Sequence, residues 1–225
     1  GTEGHDELDF EGGGHLDESL RLTAKPGSLT FAQASTLPQA GPIALQGTAS
    51  VGPGSRVAVN GAGGGSGSLA VQLAKAAGAH VTAVDNAGKL DFLRSLGADA
   101  VVDHRVEDVT RLGPFDLVLD LVAHRSVRDY RRALAPGGRY LAVGGSVSTM
   151  LSLLTAGTVL GRVSGRRLGV LAVKPGPDHF IPLEARCASG EVRMHIDREV
   201  SLDEVPEALA SVGEGRVLGK VVVTP

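Results

Sequence analysis

Five of the seven residues from Gly61 to Gly67 are glycine, in the run Val59-Asn60-Gly61-Ala62-Gly63-Gly64-Gly65-Ser66-Gly67-Ser68. The run follows a short apolar segment, Arg56–Asn60 (RVAVN), that reads as a buried strand. It opens Ser68–Ala77 (SLAVQLAKAA), which reads as a helix stopped by Gly78. At such a junction the first N–H groups of the helix point outward and the helix dipole favours negative charge. Without side chains at the closest positions, a pyrophosphate can reach that backbone. The spacing G-x-G-x-x-G is not met by Gly61, Gly63 and Ser66, but it is met by Ala62, Gly64 and Gly67, with Ala in first place. The bland alternative is a glycine-rich surface turn that binds nothing. The strand–turn–helix context favours a dinucleotide-binding turn.

The second half of that fingerprint is an acid at the end of the next strand, about 20 residues on. His80–Asp85 (HVTAVD) supplies it in Asp85. Its carboxylate can accept hydrogen bonds from ribose hydroxyls and would repel a 2′-phosphate. Read structurally, Asp85 is a helix N-cap or the turn acid of Asp85-Asn86. Lys89 pulls the other way, since it could reach a 2′-phosphate. NADH is therefore expected over NADPH, by a small margin.

Strand and helix go on alternating. Thr30 is placed to cap a helix carrying Phe31, Ala34 and Leu37. Beyond Asp85 come a helix over Lys89–Leu96 and strands over Ala100–Asp103 and Phe115–Val122. A helix over Ser126–Leu134, ended by Pro136-Gly137, leads to strands over Arg139–Gly144 and Leu168–Val173 and a helix over Asp178–Ala188. The strands are Val/Leu/Ala runs rather than alternating patterns, as when both faces are covered. The fold class this implies is α/β, a Rossmann-type doubly wound parallel sheet. An extended segment His195–Val200, a helix Glu204–Val212 and a strand Gly219–Thr224 follow, and periodicity alone does not place them.

Net charge is −3 with a pI of about 6.2, which gives no nucleic-acid footprint; Arg162, Arg166 and Arg167 read as a solvated loop. No apolar run is long enough to span a membrane, and no signal peptide is visible, so the expected compartment is the cytoplasm. The one cysteine, Cys187, rules out an internal disulfide and reads as a small buried hydrophobe. His15, His80, His124, His179 and His195 each lack a nearby second ligand, and no zinc site is expected. Nothing resembles a nucleophile or acid–base set, so no catalytic residue is assigned. That fits chemistry carried by a cofactor.

Several segments together resemble the medium-chain dehydrogenase/reductase superfamily, in its zinc-independent quinone oxidoreductase branch. They are Pro38-Gln39-Ala40, Ala44–Gly47, Val59–Ala62 and Ala70–Lys75, then Leu93–Asp99, Phe115–Val118, Val143–Gly145 and Lys174-Pro175. Ile196–Arg198, Val205–Ala208 and Gly219–Val222 extend the likeness to nearly all of residues 22–225. The resemblance implies two domains, an amino-terminal, mostly β catalytic domain and a cofactor domain. It makes 1–25 the tail of the first domain or a stump, 26–190 the dinucleotide-binding domain, and 191–225 a segment returning to the first. About a hundred residues of that domain would precede Gly1 in the family. On that ground the chain is expected to bind a dinucleotide and to turn over poorly by itself.

By the same resemblance, Ala62, Gly64, Gly65, Ser66 and Gly67 would hold the pyrophosphate. Asp85 and Lys89 would meet the adenosine ribose, with His104 where relatives often carry Tyr. Leu121 and Val122 would lie beside the cofactor, and Val143, Gly144 and Gly145 would approach the nicotinamide ribose. Ile43 departs from the Thr that relatives commonly carry. The implied activity is NAD(P)H-dependent hydride transfer to a small-molecule acceptor, a quinone or activated enone. The alternatives are a nucleotide-binding protein without turnover and a remnant of a zinc alcohol dehydrogenase. A homodimer through the edge strand 168–173 is expected.

Overall fold

A computed structural model of the chain describes residues 25–145, 149, 151, 153, 164–174 and 176–224. The stump expected over 1–25, apart from Lys25, and His15 and Arg162 lie outside the described residues.

Six strands form one parallel sheet: β1 Arg56–Asn60, β2 His80–Asp85, β3 Ala100–Asp103, β4 Phe115–Asp120, β5 Leu134–Ala142 and β6 Arg167–Val170. Their spatial order is β3-β2-β1-β4-β5-β6. The chain runs outward from β1 to β3, then crosses back to start again beside β1 at β4. Strand order therefore reverses between β1 and β4, and ligands of such sheets bind in the crevice there, beyond the strands' carboxyl ends. Alternate residues of β1 enter opposite cores: Val57 and Val59 join one apolar cluster and Ala58 the other. Both faces are covered, which is why the strands carry no polar alternation.

The helices α2 Leu37–Thr48, α3 Gly65–Ala76, α4 Leu90–Ser95 and α5 Val127–Ala133 flank the sheet together with α6 Ile181–Ala188, and the short α1 Phe31–Ser35, which buries no residue, leads into α2. Thr30 caps α1 as its sequence predicts, accepting from the Gln33 N–H while the Gln33 side chain accepts from the Thr30 N–H. α2 lies tight on β4, since a Cβ on Gly47 would stand 2.9 Å from Leu119 Cδ1. Gln46 exchanges two hydrogen bonds with the backbone of Lys174, at 2.9 Å each, and so ties α2 to the segment after β6.

Several boundaries differ from expectation. α3 begins at Gly65 rather than Ser68, because glycines carry no apolar periodicity to mark the first turn. β4 ends at Asp120, not Val122, where its carboxylate takes the next N–H groups. β5 begins at Leu134, through the Pro136-Gly137 stretch expected as a loop, and ends at Ala142. β6 spans Arg167–Val170 rather than 168–173, and it is an edge of the sheet. The last helix before Gly190 is split into a short 3-10 turn, Pro177–His179, and α6.

The pieces that periodicity left unplaced form a small βαβ unit. β7 Ile196–Val200 and β8 Lys220–Val223 pair in parallel across α7 Val205–Gly213. This unit docks on the glycine-rich turn: Gly219 donates to the Gly63 carbonyl at 2.8 Å. Gln72 of α3 holds the approach to β7 with two bonds to the Arg193 backbone, at 2.9 and 2.8 Å. Among the described residues no helix is long and apolar enough to cross a membrane.

Candidate functional site: a cavity along the carboxyl edge of the sheet

A cavity of about 740 Å³ opens at the carboxyl ends of the strands, where the order reverses. Its middle is the amino terminus of α3. Gly64, the residue before that helix, has no side chain to cap it. The N–H groups of the first turn have no intrahelical acceptor, and Gly64, Gly65, Ser66 and Gly67 line the cavity.

Three glycines of this turn do different work. Gly61 takes φ +78°, the left-handed bend that sends the chain from β1 into the turn. Gly67 serves the fold: a Cβ there would overlap the Gly61 carbonyl oxygen and stand 2.6 Å from Ala62 Cα. Gly64 differs from both. Its φ is −86°, and a Cβ there would meet no protein atom except the Gly61 carbonyl oxygen, at 3.6 Å. The folded chain would accept an alanine at this position. An anion laid against the helix start would not, so Gly64 fits a bound phosphate.

At one end, β2 and β3 deliver polar side chains. The Asp85 carboxylate accepts from the N–H of Gly63 at 2.8 Å and from that of Asn86 at 2.9 Å, with Lys89 Nζ 3.6 Å away. Asp85 thus joins the end of β2 to the glycine-rich turn, and Lys89 is buried over that turn. His104 Nδ1 stands 3.0 Å from the Asp85 carbonyl oxygen. The other end is built differently. Leu121, Val122, Val143 and Ile43 present an apolar surface, while the polar groups behind it are buried. Asp120 has no exposed surface and accepts from Asn60, Val122, Ala123 and Tyr140. Burial, and then the charge of Asp120, push the Tyr130 and Tyr140 phenols well above the ordinary range.

The structure brings Gly64, Gly65, Ser66, Gly67, Asp85, Lys89, His104, Leu121, Val122 and Val143 to this one cavity. Ala62 is fully buried beneath the turn, and Gly144 and Gly145 stand exposed after β5, outside the lining. Sequence reasoning missed Asn60, Asn86, Arg105, Val212–Gly215 and Lys220, all of which line the cavity. Lys220 comes from β8, and its stem lies against Gly65 at the start of α3. Asn86 donates to the Gly215 carbonyl at 2.9 Å and so latches the segment after α7 beside the end of β2. Cys187 is buried, as expected, and burial pushes its thiol up to about 11.

Comparison with known proteins sets this geometry among relatives. Residues 96–223 match a family model described as zinc-binding dehydrogenase. The chain is 31% identical to a chloroplast quinone oxidoreductase of Triphysaria versicolor, over 95% of this chain and 70% of that one. It is also 31% identical to a mitochondrial NAD(P)H oxidoreductase of Mus musculus, over 90% of this chain and 58% of that protein. A solved quinone oxidoreductase from Coxiella burnetii superposes with a TM-score of 0.80 at 28% identity, covering 90% of this chain and 63% of that one. The chain thus spans between 58% and 70% of the length of these relatives. Among the described residues no group of three or more His, Cys, Asp or Glu side chains is placed to hold a metal ion.

Proposed function

Because the chain belongs to the medium-chain dehydrogenase/reductase superfamily, in its quinone-oxidoreductase-like branch, we propose that its cavity binds NAD(P)H for hydride transfer to a quinone or an activated enone. The observation that carries this reading is Gly64: room for a side chain in the fold, kept empty at an uncapped helix start. The nicotinamide supplies the hydride when bound. The chain's own residues bind, orient and shield. Gly65, Ser66 and Gly67 offer N–H groups to a pyrophosphate laid over Gly64, whose own N–H donates to the Gly61 carbonyl, and Lys220 adds a positive charge beside them. Asp85 accepts from the ribose at the adenosine end. Leu121, Val122 and Val143 form the dry surface against which the ring and acceptor meet, and excluding water there favours transfer. Ala62 would act from beneath the turn, and Gly144 and Gly145 by closing over the ring.

We infer a preference for NADH. Lys89 is already shared with Asp85 at 3.6 Å, so a 2′-phosphate would meet a carboxylate and a partly neutralised ammonium. In this reading residues 26–190 are the dinucleotide-binding domain, and 191–225 borders its cavity through Val212–Gly215 and Lys220. The edge position of β6 supports a homodimer joined there. Calorimetric titration with NADH and NADPH tests the site. NADPH binding more tightly, unaffected by Asp85→Ala, would reverse the preference, and no binding of either would remove the function.

A further inference from the structure

The buried group behind the apolar end of the cavity is larger than a turn of this length needs. Asp120 Oδ1 accepts from Asn60 Nδ2 at 2.8 Å, from the Val122 N–H at 3.1 Å and from the Ala123 N–H at 2.8 Å. Its Oδ2 accepts from the Tyr140 hydroxyl at 2.9 Å. Tyr130 stacks on Tyr140 with ring centroids 4.4 Å apart, and its hydroxyl accepts from Asn60 at 3.4 Å. All four partners of the carboxylate are donors, as a buried negative charge requires. The cost of such burial calls for a reason beyond ending a strand.

That reason lies in the next three residues. Ala123 has φ +54°, the only left-handed non-glycine among the described residues. L-residues resist that region, and they hold it where the surroundings over-determine it. Here the Asp120 carboxylate takes the N–H groups of both Val122 and Ala123, which bends the chain sharply out of β4. The bend brings Val122 out to 37% exposure at the cavity. It also seats Val122 on the phosphate turn, where a Cβ on Gly61 would stand 2.9 Å from Val122 Cγ2. Asn60, one residue earlier, is itself held by Asp120. One buried carboxylate therefore fixes the apolar wall beside the glycine-rich turn.

Resting on the dinucleotide reading, we propose that Asp120 is a positioning residue for the nicotinamide end of the cofactor. It acts by locking the Leu121–Ala123 bend so that Val122 stands against the ring. With the adenosine end at Asp85 and the phosphates at α3, this wall is what remains for the ring.

The test separates the two ends by ligand. ADP-ribose carries the adenosine, both phosphates and both riboses but no ring; NADH carries the ring. Asp120→Ala, checked for folding by thermal unfolding, is expected to bind NADH about tenfold more weakly, with ADP-ribose unchanged within about twofold. The emission of bound NADH should shift toward that of free NADH. Asp120→Asn keeps an acceptor for the bend and should recover most of the NADH affinity. Should Asp120→Ala fail to fold, Val122→Ala trims the wall itself at a side chain exposed to the cavity, orphans no donor, and is expected to weaken NADH while leaving ADP-ribose unchanged. Equal losses for both ligands, or none for either, overturn the proposal alone. Wild-type protein that binds neither ligand overturns the dinucleotide reading, and this proposal with it.

Discussion

The two ends of the cavity solve different problems with the same kinds of residue. At the ends of β2 and β3, Asp85, Lys89 and His104 carry their polar atoms to the cavity itself. At the ends of β4 and β5, the polar atoms of Asp120, Tyr130 and Tyr140 are turned into the protein, and Leu121, Val122 and Val143 present aliphatic carbon to the cavity, with His124 and Arg125 beyond them. One carboxylate lines the cavity and the other is spent on shape. The contrast matches what the two ends of a dinucleotide ask for. A ribose needs acceptors, whereas a hydride donor needs a dry, fixed surface.

If that contrast is right, the two acids should fail differently. Asp120→Ala leaves up to four buried donors without an acceptor, and we expect it to lower stability by about 3–5 kcal/mol in urea unfolding. Asp85→Ala orphans the buried Lys89 and the Gly63 N–H, so it should lower stability by about 2–3 kcal/mol, and unlike Asp120→Ala it should weaken NADH and ADP-ribose alike, about tenfold. A large stability loss in Asp85→Ala with binding retained would erase the distinction.

Tyr140→Phe sharpens the same point on a smaller scale. It removes one of the four bonds to Asp120 and should cost about 1 kcal/mol while leaving ADP-ribose affinity intact. A loss as large as that of Asp120→Ala would mean that the tyrosine, not the carboxylate, organises the region.

The smallest expected effect is a pH dependence at the amino-terminal edge of β2 and β3, away from the cavity. Desolvation tends to raise the Asp99 carboxyl, but hydrogen bonds from Lys75 and the Val81 N–H outweigh it and hold it below its ordinary value. A folded value below the unfolded one adds stability above the unfolded range, and that stability is lost as pH falls through the folded value. Asp99→Asn should therefore flatten the acid limb of the stability–pH curve. Glu184, raised by burial, has the opposite sign: its contribution is present at low pH and lost as pH rises through its folded value. An unchanged acid limb in Asp99→Asn would place the acid sensitivity elsewhere.

How much of this was legible in the chain depends on distance along it. The β1–turn–α3 unit was plain because few folds use glycines at that spacing between a buried strand and a helix. Asp85 and Lys89 followed from the same fingerprint. Lys220 and Gly215 were not legible, since they reach the cavity only because a second βαβ unit docks on the turn. The bond from Asn86 to Gly215 spans 129 positions, and no local pattern announces it. Asp120 was hidden inside Phe115–Val122, which read as one apolar strand. Its acid could have been noticed, because a charge in a strand covered on both faces must find partners. The left-handed Ala123 could not, since nothing in an alanine marks a bend.

Gly64 tests most directly whether this cavity holds a dinucleotide. Gly67→Ala must disturb the fold, because its Cβ meets backbone, whereas Gly64→Ala meets only the Gly61 carbonyl oxygen, at 3.6 Å. We predict that Gly64→Ala unfolds at the same urea concentration as the wild-type chain and binds both NADH and ADP-ribose about a hundredfold more weakly in calorimetric titration. Gly64→Ala that keeps its fold and binds both ligands as tightly as the wild type would contradict the account.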